Sequence, residues 1–237
     1  QNGFPGVCVG SGAGRPNFMN IPGENLINIM SSNEYLTRVN LMDAANEKTD
    51  TPINIGKKVI VVGGGNTAMD SCRTAKRLGA DVTLVYRRSE VEMPARLEEV
   101  KHAKEEGIKF LTLHNPKEYL ADEDGRVRAA VLDVMQLGEP DASGRRRPEA
   151  TGEIVTLDCD QVIVAVGVSP NPLVPKSISG LELGRKNTIV VNDKMQSSRP
   201  ELFAGGDIVR GGATVILAMG DGRRAAANMA ERLASAK

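Results

Sequence analysis

Three cysteines (Cys8, Cys72 and Cys159) and two histidines (His102 and His114) are all that 237 residues hold of those two types. No two cysteines form a C-x-x-C pair, so a disulfide scaffold, a zinc ribbon and a dithiol redox centre all lack their ligands. His102 falls in a charged helical run and reads as a solvated histidine, and no metal site is expected. No apolar run approaches the ~18 residues that cross a bilayer, and no charged-then-apolar start suggests a signal peptide. The expected setting is therefore cytoplasmic, away from membranes. Thirty basic side chains balance thirty acidic ones, so no global charge draws the chain to nucleic acid either. There is no initiator methionine, and the chain reads as a fragment that begins inside a folded unit.

What is present is a run of buried-strand and helix signals. Leu26, Ile29, Tyr35, Leu36, Val39 and Leu41, with Ser31 or Ser32 as N-cap, predict a helix over about 33–46, with a polar linker after it. "GKKVIVVGGG" reads as a strand buried on both faces. "NTAMDSCRTAKRLGA" follows, with Ala68, Cys72, Ala75 and Leu78 on one helical face and Gly79 as the stop. "DVTLVYRR" is the next strand, completing a βαβ unit of a doubly wound sheet. A second helix is expected from Pro94 to Gly107, then a strand in "IKFLTLHNP". Strands over Arg126–Leu137 and Glu153–Leu157 flank the loop "GEPDASGRRRPEATG", whose Arg145, Arg146 and Arg147 read as a solvated hairpin tip. "QVIVAVGVSPN" is another buried strand. "RPELFAGGDIVRGGATVILAMGDGRRAAANMAERL" supplies a short strand, a glycine-rich turn and a closing helix over Thr214–Leu233. No solenoid-length repeat or low-complexity tract occurs.

The strongest motif is "VVGGGNTAMD", where Gly63, Gly65 and Ala68 fit G-x-G-x-x-A between a strand and a helix. Gly63 permits the tight turn, Gly65 has no Cβ to hold a pyrophosphate off the backbone, and Ala68 lets helix and strand pack closely. The helix start, with Gly64, Asn66 and Thr67, then offers N–H groups and a partial positive charge to phosphates. At the tip of the next strand, where a free ribose 2′-hydroxyl usually meets an acid, stand Arg87 and Arg88. Two guanidiniums suit a dianionic 2′-phosphate, so the expected cofactor is NADP(H) rather than NAD(H). Glu90 and Glu92 follow closely enough to pair with them instead.

"VCVGSGAG" near the start resembles a second nucleotide loop, but "RPNFMNIPGENL" follows with two prolines and no helical period. Without a helix start to face the phosphates, Val7–Gly12 reads as a strand leaving one domain for another. In "ELFAGGDIVRGGATV", Asp207 is placed to approach a ribose or ribityl hydroxyl, and a second helix start follows.

Taken together, "GGGNTAMD", "YRRS" with its following "EMPAR", and "AGGD" followed by "ATVILAMGDGRRAA" resemble the flavoprotein family of the NADPH-dependent glutamate synthase small (beta) subunit. The resemblance runs over nearly the whole chain. It implies an α/β architecture in which a Rossmann-like NADPH-binding domain is inserted in a split, incomplete FAD-binding domain. Residues 1–50 would be a remnant of the FAD domain and a crossing, 51–166 the NADPH-binding domain, and 167–237 the carboxyl-terminal FAD segment. The strands ending at Gly12 and Gly167 would be the crossings, with Gly167, Gly206, Asp207, Thr214 and Val215 near flavin. The family's iron–sulfur region and first FAD loop have no counterpart in these residues. The resemblance further implies hydride passage from NADPH to FAD, and electrons onward through iron–sulfur clusters. The receiving partner would be a glutamate synthase large subunit or a ferredoxin-type acceptor. No catalytic side chain is expected, since the cofactors carry the chemistry.

Two other readings stay open. One is a ferredoxin:NADP oxidoreductase subunit of the same architecture. The other is a non-enzymatic NADP-sensing module. A thioredoxin reductase is disfavoured, because the expected nucleotide-binding helix has only Cys72 and no dithiol.

Overall fold

The computed structural model describes residues 3–46, 48–140, 144 and 146–235. The chain forms two compact units, one from residues up to Pro16 together with those from Val168 onward, the other from Asn17–Gly167.

The first unit opens with β1 (Val7–Val9) and β2 (Arg15–Pro16). The second unit then begins with β3 (Ile29–Ser31) and α1 (Ser32–Leu36), capped where the Ser31 hydroxyl accepts from Glu34 N. The helix expected to reach residue 46 instead widens into a π-helical turn over Thr37–Leu41 and stops. Beyond it the polar side chains bond local backbone, with Thr49 Oγ1 donating to the carbonyls of Asp43 and Asn46. Such bonds compete with helical ones.

β4 (Lys58–Val62), α2 (Asn66–Arg77) and β5 (Asp81–Tyr86) are the expected βαβ unit. α2 ends as its Gly79 predicts: Gly79 N bonds Lys76 O and Ala80 N bonds Ala75 O, the paired bonds of a Schellman stop. α3 (Leu97–Glu105) and β6 (Lys109–Thr112) follow. α3 does not open at Pro94, because Met93–Arg96 is drawn out alongside the glycine-rich loop: Ala95 N donates to Gly64 O and Arg96 N to Asn66 Oδ1.

β3, β4, β5, β6 and β10 (Gln161–Val164) make one five-stranded sheet in the order β3-β10-β4-β5-β6, every neighbouring pair parallel. Alternation splits β4 between two cores. Val59 and Val61 face Ala68, Met69, Cys72 and Ala75 of α2, while Ile60 and Val62 pack with Tyr119, Val127, Ala130 and Leu132 on the other side. That second layer is an antiparallel meander, β7 (His114–Ala121), β8 (Val127–Pro140) and β9 (Arg146–Asp158). The segment expected as a long loop is mostly ribbon. β8 and β9 stay paired through Met135–Ala150, Leu137–Pro148 and Pro140–Arg146, with register shifts that absorb the irregularity. Pro148 is tolerated because β9 is an edge strand. Arg146 is thus a strand residue rather than a solvated tip, whereas Arg145 lies outside the described residues.

After Gly167 the chain returns to the first unit through β11 (Val168–Ser169), α4 (Leu173–Ser177), β12 (Leu202–Ala204), α5 (Asp207–Arg210) and α6 (Val215–Ser235). There β1 pairs parallel with β12, and β2 antiparallel with β11. Val9, Ile189, Leu202, Ala204 and Ile208 form its core. The first 50 residues therefore do not stay together. Residues 17–50 join the second unit, because β3 is an edge strand of its sheet beside β10.

Candidate functional site

In the second unit, the three glycines between β4 and α2 do different things. Gly63 sits at φ +140°, and a side chain there would collide with the carbonyl oxygen of Ala165 at the end of β10. Gly64 lies against the Tyr86 ring, which a Cβ would approach to 2.7 Å. Only Gly65 faces open space, with nothing within 4 Å of where its Cβ would be. Gly65 is also the N-cap of α2 and supplies no side-chain bond; Ala68 N turns back to the Gly65 carbonyl, so the N–H groups of Asn66 and Thr67 are left for a ligand or water. Ala68 is fully buried where helix and sheet meet. Asn66 and Thr67 are exposed at the helix start, the Asn66 side-chain oxygen being engaged by Arg96 N. A backbone loop closed on two sides and open on the third, at a positive helix end, is shaped to take a diphosphate. The residues present fit such a group.

Arg87 and Arg88 follow β5. Arg87 is exposed and Arg88 half-buried. The nearby acids are both drawn elsewhere. Glu90 pairs with Lys104 at 2.6 Å. Glu92 accepts from Ser89 N and Oγ through Oε2, and from Arg146 Nε through Oε1 at 3.0 Å. Hydrogen bonding from Ser89 first, then Arg146, holds the Glu92 carboxyl below the usual range. Neither arginine therefore carries a carboxylate partner among the described residues. Arg88 Nε donates to the Arg146 carbonyl at 2.9 Å.

The cysteines are not placed for redox chemistry or for clusters. Cys72 and Cys159 are buried and free, while Cys8 is exposed. Burial pushes both buried thiols up, that of Cys159 to about 12, where little reactive thiolate forms. Among the described residues no group of three His, Cys, Asp or Glu side chains could hold a metal ion.

In the first unit, Asp207 opens α5 after Gly206, and its Oδ1 accepts from Ala213 N at 3.1 Å. Thr214 precedes α6, with its hydroxyl accepting from Leu217 N. Val215, Ile216 and Met219 on the first turns of α6 are exposed at 74%, 81% and 63%, an apolar face next to a helix start. An acid with a spare oxygen, a helix start and an apolar face together fit a ring-bearing, hydroxylated ligand. Gly167 lies at the boundary of the second unit, its carbonyl accepting from Asn17 N at 3.0 Å.

Sequence reasoning missed Asp221. It is 1% exposed on α6, takes Arg210 Nε and Nη2 at 2.6 Å each, and accepts from Gly206 N at 3.2 Å. It pins the loop that presents Asp207. The available signal was an acid set in the apolar, glycine-rich start of a helix, in "AMGDG". Also missed were Tyr86 above Gly64 and the strap formed by Ala95 and Arg96.

One family profile, described as pyridine nucleotide-disulphide oxidoreductase, matches residues 6–222. The glutamate synthase [NADPH] small chain of Halomonas elongata is 36% identical over 94% of this chain and 48% of its own length. A Moorella thermoacetica protein named NADP(+)-dependent formate dehydrogenase subunit beta is 44% identical over 75% of this chain and 25% of its own. This chain thus spans at most about half the length of either relative. Among solved structures, Mycobacterium tuberculosis FprA in complex with NADPH superposes with a TM-score of 0.78 at 19% identity, over 98% of this chain and 64% of that one. That likeness concerns the fold.

Proposed function

The chain belongs to the pyridine nucleotide-disulphide oxidoreductase family, and from that premise we propose that it is the NADPH-binding part, with a segment of the flavin site, of an NADPH-dependent flavoprotein oxidoreductase of the glutamate synthase small-chain type. The observation that carries the reading is the pairing of an open Gly65 helix start with Arg87 and Arg88, which have no carboxylate partner among the described residues.

In this reading the N–H groups of Asn66 and Thr67 and the positive end of α2 hold the pyrophosphate. The Arg88 guanidinium, with Arg87, meets the 2′-phosphate, which a planar fork binds better than a point charge does. Asp207 accepts a hydroxyl of the flavin's ribityl chain, and Thr214 and Val215 present the α6 start beside it. The nicotinamide and flavin, when bound, supply the two-electron chemistry between them. The protein's part is to position both and to exclude water, so no acid, base or nucleophile of this chain is assigned a step.

The relatives' names, small chain and subunit beta, support a partner subunit; the electron-receiving partner in this reading is a glutamate synthase large subunit or a ferredoxin-type acceptor. Three separated cysteines, two of them buried, do not suit an iron–sulfur cluster. Any cluster in the electron path is therefore assigned to protein outside these residues. A second reading, the electron-passing subunit of another NADP-linked enzyme, rests on the similarity to the Moorella thermoacetica protein.

Calorimetric titration with NADPH and with NADH at one salt concentration tests the nucleotide assignment. A preference for NADPH of about tenfold or more, about 1.4 kcal/mol, is expected. Equal binding would remove the 2′-phosphate role from the two arginines.

A further inference from the structure

We propose that Arg146, on the β8–β9 ribbon, is a positioning residue that sets the preference for NADPH over NADH. The inference rests on the nucleotide reading above. Arg88 is held at two points, once directly by the ribbon and once through Leu113. Its carbonyl accepts from Leu113 N at 3.1 Å, and Leu113 in turn accepts from Met135 N of β8 at 2.8 Å. Its Nε donates to the carbonyl of Arg146 on β9. With Nε so engaged, the two terminal nitrogens of the guanidinium are left for a phosphate, which such a fork binds through two bonds.

The Arg146 side chain does a second job. Its Nε takes Glu92 Oε1 at 3.0 Å, and the Glu92 side chain is only 14% exposed. Glu92 is four residues from Arg88, in the same turn, and its other oxygen is occupied by Ser89. A carboxylate so close to Arg88 would compete with a 2′-phosphate for the same guanidinium, and like charge would repel the ligand. Arg146 keeps that carboxylate engaged and neutralised. One residue 54 positions away from Glu92 thus aligns the phosphate-binding arginine through its backbone and removes the competing acid through its side chain.

The test is nucleotide titration of the full chain carrying Arg146→Ala, Arg146→Gln, Glu92→Gln, and the Arg146→Ala/Glu92→Gln pair. Arg146→Ala is expected to lower the NADPH:NADH affinity ratio at least fivefold while NADH affinity stays within twofold, which also shows that the fold is intact. Arg146→Gln, a milder change that still removes the cation, should lower the ratio too. Adding Glu92→Gln to Arg146→Ala should restore most of the ratio, because glutamine keeps the bond to Ser89 but carries no charge. A ratio unchanged in both Arg146 variants, or no rescue by Glu92→Gln, overturns the proposal while leaving the nucleotide reading standing. A wild-type chain with no NADPH preference overturns both.

Discussion

Arg210 and Asp221 form a two-pronged ion pair at 2.6 Å on each prong, and the acid is buried while the base is partly exposed. The same carboxylate accepts from Gly206 N, so α6 holds the Gly206–Asp207 loop by a side chain rather than by a strand. Hydrogen bonding from Arg210 keeps the Asp221 carboxyl below its usual range. Asp221→Asn should lower the stability of the first unit by about 1–3 kcal/mol, since a buried N–H and a guanidinium lose their charged acceptor. Urea unfolding checks this. An unchanged midpoint would mean that the loop is held by other contacts.

Gly64 and Gly65 are adjacent yet should respond to alanine in opposite ways. Gly64→Ala drives a methyl group into the Tyr86 ring and should destabilise the second unit by about 1–3 kcal/mol. Gly65→Ala meets nothing and has an extended backbone at φ −92°. It should leave the unfolding midpoint unchanged and weaken NADPH binding by about tenfold or more, about 1.4 kcal/mol. Thermal unfolding with calorimetry on both variants separates the two effects.

Thiol chemistry should single out Cys8. A bulky thiol reagent at pH 8 is expected to modify Cys8 in the folded chain, and Cys72 and Cys159 only after denaturation, because both are buried and their thiols pushed up. Mass spectrometry of the labelled protein reads this directly, and rapid native labelling of Cys72 would contradict the packing of α2 on the sheet.

Stability should hold between pH 7 and 5 and fall below about pH 4. Glu106, bonded by Arg77 and Arg73, Glu92 and Asp221 all have lowered values in the folded chain. A group with a depressed folded value stabilises above its unfolded value and loses that contribution as pH drops through the folded one. Glu106→Gln should make the decline shallower, as seen in urea midpoints from pH 7 to 3. A midpoint that rose on acidification would reverse the sign and refute the account.

Much of this was legible beforehand, and the reason differs by element. β4, α2 and β5 could be read because each is buried on a set period: a continuous β-branched run, one apolar helical face and a glycine stop. The glycine-rich turn and the closing helix were likewise visible as local patterns. The reach of β9 was hidden, since ribbon pairing between Leu137 and Pro148 depends on a partner strand and not on alternation within "GRRRPEATG". The helix after Ser31 was overestimated, because apolar spacing said nothing of the polar side chains beyond Leu41 that bond the backbone. The strand-end acids posed the hardest problem. Glu90 and Glu92 sit close to Arg87 and Arg88 in sequence, and only the fold shows that Lys104 and Arg146 draw them off.

Asn17 N donates to Gly167 O, so the first and last residues of the second unit are bonded neighbours. A polypeptide segment whose ends meet behaves as a cassette. Joining its entry and exit elsewhere demands little chain-closure entropy, so such a piece can be excised, transplanted or relinked at Asn17 and Gly167 without stretching its own sheet.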